Sequence, residues 1–85
     1  MAIKLESGFE IIEYSDLRYE KMTVEIQYSG EQIAQLNIDK GSAKAEIELF
    51  TKFTSLDFSP IFSMSDFIEA LSQAQILLKG YDMPL

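Results

Sequence analysis

Eighty-five residues, 47% of them hydrophobic and 25% charged, suffice for one domain spanning 1–85, near the lower limit at which a single core holds a fold. With neither cysteine nor histidine, the chain lacks a disulfide framework, a thiolate nucleophile and the commonest general base and metal ligand, so neither an enzyme nor a cofactor-dependent protein is expected. Fourteen acidic residues against seven basic leave a net charge of −7, which disfavours direct nucleic-acid or anionic-membrane binding, since either needs a basic patch.

The acid is uneven: residues 1–31 hold seven acids and three bases, and residues 53–85 hold four acids and one base. The start, MAIKLESGFE, does not read as a signal peptide, and no run of about 18 apolar residues occurs, so a cytoplasmic location is the default expectation. In chain order, residues 2–6 alternate and either begin the first strand or form an irregular lead-in. FEIIEY, 9–14, is aromatic and β-branched, which predicts a strand bounded by Gly8 and by the Ser15-Asp16 turn. KMTVEIQY, 21–28, alternates without a break, with Met22, Val24, Ile26 and Tyr28 inward.

Ser29-Gly30 turns the chain into QIAQLNI, 32–38, with Ala34, Leu36 and Ile38 inward. Matching the inner faces requires Tyr28 opposite Gln32, Ile26 opposite Ala34 and Val24 opposite Leu36, so the loop behaves as three residues or as two plus a bulge. A second turn, 39–42, leads into 43–53, where a four-residue loop pairs Ile38 with Ala43 and Leu36 with Ala45. Ala45, Ile47, Leu49 and Phe53 then face inward. The connection 54–62 is too apolar for a solvated linker: Leu56, Phe58, Ile61 and Phe62 are expected to cover one end of the core, with a short extra strand near Ile61 as an option.

Residues 63–80, SMSDFIEALSQAQILLKG, carry the one helical period. Met64, Phe67, Leu71, Ala74 and Leu78 form a stripe, Ser63 and Asp66 suit a capping box, and Lys79-Gly80 suit the far end. The tail after Gly80 reads as a packed or frayed end. The predicted fold is therefore α+β: a four-stranded antiparallel meander with one C-terminal helix on one face, β-β-β-β-α.

No residue is assigned a catalytic or metal-binding role. Glu46 and Glu48, two apart on one strand face, could act as a carboxylate pair, but alternating glutamates are also what solvent exposure alone selects. Glu10, Glu13, Asp16 and Glu20 could hold a hard cation, yet no calcium-loop pattern is present. The face away from the helix reads instead as a protein-binding patch: Glu25, Gln35 and Glu46 in one row, Gln27, Ile33 and Glu48 in the next, and Phe50 and Tyr19 nearby.

VEIQYSGEQIAQLNID, AEIELF and FSMSDFIEALSQAQILL, within residues 22–78, resemble the small acidic immunity proteins encoded beside bacterial polymorphic and contact-dependent growth-inhibition toxins. The resemblance implies a monomer or homodimer that neutralises a cognate toxin, a basic domain of a group that includes many nucleases, by stoichiometric contact. Glu25, Glu46 and Glu48 would meet Lys or Arg, while Tyr19, Ile33 and Phe50 would fill apolar recesses beside Gln35. It carries over no functional residues, because immunity proteins bind through surfaces that differ from pair to pair. The alternative is a structural or assembly module that dimerises through the same sheet face. Both readings place the contact on that face, so either role requires the face to be free.

Overall fold

The alternating segments build the middle of an antiparallel sheet in a computed structural model that describes residues 2–82. β1 (Ala2–Lys4), β2 (Phe9–Tyr14), β3 (Thr23–Tyr28), β4 (Glu31–Asn37) and β5 (Glu46–Leu49) lie side by side in chain order, and α1 (Met64–Lys79) follows them. The class is α+β as expected, but the sheet has five strands, not four. The added strand is the alternating lead-in, which does not begin the strand at 9–14 but folds back on it as a separate strand, so that Ile3 faces Ile11. Gly8 makes this turn possible: its φ is +106°, and a β-carbon there would sit 2.9 Å from the Tyr28 ring.

Ser29 and Gly30 both have positive φ, 50° and 81°, which makes a two-residue hairpin turn with the twist the strands need. Tyr28 therefore faces Glu31 rather than Gln32. Continued unbroken, that frame would bury Gln35 on the apolar face, and a bulge between Ile26 and Gln27 corrects it by leaving Ile33 as an extra residue on β4. Ile26 then faces Ala34 and Val24 faces Leu36, as the inner-face match demands.

β5 departs further from expectation. A 3-10 turn over Ser42–Lys44 lengthens the connection, so Leu36 faces Ile47 and Ala34 faces Leu49. The slip is by two residues, which preserves the faces but moves Glu48, not Glu46, beside Gln35. Pairing stops at Leu49, and Phe53 leaves the ladder to stack in a row of rings.

The core lies between α1 and strands β2 to β4. Phe9, Ile11, Val24, Ile26, Ala34, Leu36 and Ile38 from the sheet side meet Ala70, Ala74 and Leu78. Two alanines on the contact line let the helix axis approach the sheet closely. The Ser63 side chain accepts from Asp66 N at 3.4 Å, the cap that the sequence announces. The buried stripe, however, is rotated from the predicted one: it runs through Ala70, Ala74 and Leu78, with Phe67 and Leu71 half-buried beside it, and Met64 is 77% exposed. Gly80 is also not a left-handed cap; at φ −61° it continues into a 3-10 turn, Gly80–Asp82.

Phe58 and Phe62 close one end of the core as expected, with Phe62 5.0 Å from both Phe9 and Tyr28 between ring centroids. Leu56 and Ile61 do not join them and are 101% and 82% exposed, and no strand forms near Ile61. Among the described residues no helix is long and apolar enough to cross a membrane. Residues 83–85, the end of the predicted tail, lie outside the described residues.

Candidate protein-interaction site

The sheet face away from the helix is not free at its centre. The loop 15–22 turns back over it, locked by Asp16, whose carboxylate accepts from Arg18 N at 2.9 Å and from the Arg18 guanidinium at 2.9 and 3.0 Å. The same guanidinium donates to Gln35 Oε1 and to Glu48 Oε1, both at 2.9 Å, and Gln35 Nε2 returns a bond to Asp16 at 3.0 Å and one to Thr23 Oγ1 at 2.9 Å. The hydrogen bonds from Arg18 hold the Asp16 carboxyl down at about 2, while Glu48 and Asp16 push the guanidinium above its usual range. Asp39 completes the anchorage by accepting from Glu20 N at 3.0 Å and Lys21 N at 3.1 Å.

This network decides where the proposed partner residues stand. Glu25 and Gln35 are each only 3% exposed, so neither presents a carboxylate or amide to a large partner. Ile33 lies on the opposite face, 5% exposed in the core, because the bulge turns it inward. Tyr19 is half-buried beneath Arg18, whose guanidinium carbon is 5.2 Å from the ring centroid. Glu48 pairs with Arg18 at 2.9 Å at a part-exposed site, Glu46 is exposed and pairs with Lys40 at 3.0 Å, and Phe50 borders an apolar groove. The structure thus brings Glu46, Glu48 and Phe50 to one accessible edge and separates them from Glu25, Ile33 and Gln35.

A second carboxylate has a structural role that the sequence hides. Glu31, 4% exposed at the start of β4, accepts from Thr54 N at 2.8 Å, Thr54 Oγ1 at 2.9 Å and Ser55 N at 2.9 Å. These bonds lower its pKa against the opposing effect of burial, with the Thr54 backbone bond the largest cause. The result is a clamp that ties the connection 50–62 to the sheet.

The accessible apolar surface lies on the helix side, between α1 and β5. Five strands about 4.8 Å apart span about 19 Å between the outermost chains, whereas a helix is about 10 Å across, so one helix leaves part of the face uncovered. Ile47 and Leu49, the inward residues of β5, are 46% and 64% exposed for this reason. Beside Leu49 a depression of about 540 Å³ is walled by Ile33, Phe53, Phe62, Met64 and Phe67. In line with it along α1, a second of about 300 Å³ lies among Leu36, Ile47, Leu71, Gln75 and Leu78. Met64, Phe67 and Leu71, expected in the buried stripe, wall the groove instead, and the signal available in the sequence is that a sheet of this width exceeds one helix.

Among the described residues no group of three or more His, Cys, Asp or Glu side chains is arranged to hold a metal ion. Comparison of the chain with family models, with curated proteins and with solved structures finds no match, so the site stands on its geometry.

Proposed function

We propose that the protein is a stoichiometric inhibitor of the immunity class, which binds and neutralises a basic bacterial toxin domain, and that it does no chemistry itself. The observation that carries this reading is the apolar groove lying open beside an edge strand, on a chain of net charge −7. Apolar recesses supply affinity, and an acidic surround steers a basic partner while repelling other acidic proteins. The resemblance of residues 22–78 supplies the class of partner. Dimerisation through the far sheet face, the alternative, has less support, because the centre of that face is polar and covered by the loop 15–22.

The test is co-expression in a bacterial host with the toxin domain encoded in the adjacent reading frame. Growth is restored, and light scattering on the purified pair gives one copy of each chain. Persistent growth arrest with soluble inhibitor present, and no complex, overturns the proposal.

A further inference from the structure

β5 is the last strand of the sheet, and among the described residues the chain after it does not pair with it again. The Phe50 amide donates to Ile33 O at 3.0 Å, so in an antiparallel ladder the alternate residues Ile47 and Leu49 turn their backbone groups to the open edge. Natural sheets guard such edges with short strands, charged side chains, proline or a bulge. Glu46–Leu49 is four residues long with no proline or bulge, and its only charges, Glu46 and Glu48, deter an acidic strand but admit a basic one. The edge is also divided chemically. Its helix-side face offers exposed Ile47 and Leu49 above the groove, and its other face offers Glu46 and Glu48.

We infer that β5 accepts an extended segment of the partner as a sixth antiparallel strand, one that alternates apolar residues over the groove with lysine or arginine beside Glu46 and Glu48. This deepens the inhibitor reading and rests on it. A second copy of the chain is the poorer occupant. Pairing β5 with itself would set Glu46 and Glu48 against their own copies and bring together two molecules of net charge −7. A basic strand reverses both terms. Lys40 and Arg18 do not pre-empt it, since each pairs its glutamate at a solvent-exposed site where such contacts are weak and can be shared. β-Strand addition also explains why both features occur together: the edge supplies main-chain bonds and the groove holds alternate side chains.

The probe is a short synthetic peptide alternating lysine with valine, labelled for anisotropy and titrated into the full chain. Three variants accompany it: glutamate for lysine, N-methylated backbone on the pairing side, and the protein substitutions Ile47→Thr with Leu49→Thr. The lysine peptide binds saturably one to one and slows amide exchange at Ile47 and Leu49. The glutamate and N-methyl peptides, and the threonine protein, each lose about tenfold or more in affinity. Both replaced side chains are already exposed, so an unchanged thermal midpoint shows that the variant is folded. Equal binding of the N-methyl peptide, protection elsewhere, or a wild-type dimer that the threonine substitutions dissolve overturns the inference. If the toxin is neutralised equally by the threonine protein, the strand proposal fails and the inhibitor reading stands. If the peptide binds as described but no toxin is neutralised, the inhibitor reading fails and the edge remains a strand-accepting surface.

Discussion

Glu31 shows how much one carboxylate can organise. Sequence reading counts it only as one of fourteen acids beside a turn; three donors from Thr54 and Ser55 make it the clamp of the connection 50–62. Its pKa is lower folded than unfolded, so the unfolded chain binds more protons in that window and stability rises with pH there. The contribution is present in full above the ordinary glutamate value, about 4.3, and is lost as pH falls through the folded value. Urea midpoints measured down the acid range should therefore fall for the native chain, and Glu31→Gln should be less stable at neutral pH with a shallower acid slope. Equal slopes would refute the clamp. Asp16, held at about 2 by hydrogen bonds from Arg18, adds a second acid-sensitive contact.

At the scale of elements, apolar period identified α1 and its start but not which side of the stripe is interior. Ala70, Ala74 and Leu78 are fully buried, whereas Leu71 is half-buried at the groove. Leu78→Ala should cost about 2–5 kcal/mol in chemical denaturation, and Leu71→Ala less than about 2 kcal/mol. Equal losses would place the groove wall inside the core. The β3–β4 hairpin was legible because the turn and the inner-face match together admit few registers, and the bulge was one of them. The β4–β5 register was not, since a two-residue slip keeps every face correct and only the 3-10 turn at Ser42–Lys44 discriminates.

Across the whole molecule, a net charge of −7 and an open apolar groove favour an association steered by charge and held by apolar contact. Raising ionic strength to about 1 M, where the screening length is about 3 Å, should lower the association rate with the proposed toxin partner by about tenfold or more and leave dissociation nearly unchanged. Stopped-flow measurement of both rates decides it. A salt-independent association rate would remove charge from the recognition.

What the amino-acid order determined by itself is local or summed: the strand at 9–14, the strand read as 21–28 and formed over 23–28, the capped helix, the α+β class, and the acidic balance. These follow from periods of two and 3.6 residues and from counting. Only the tertiary structure decided which surface stays open. Arg18 and Glu48 are 30 residues apart and Glu31 and Thr54 are 23 apart, and those contacts close the far face and pin the connection. Neither pairing leaves a periodic trace, because each depends on where a loop comes to rest on a finished sheet, and that sheet is wider than the one helix laid upon it.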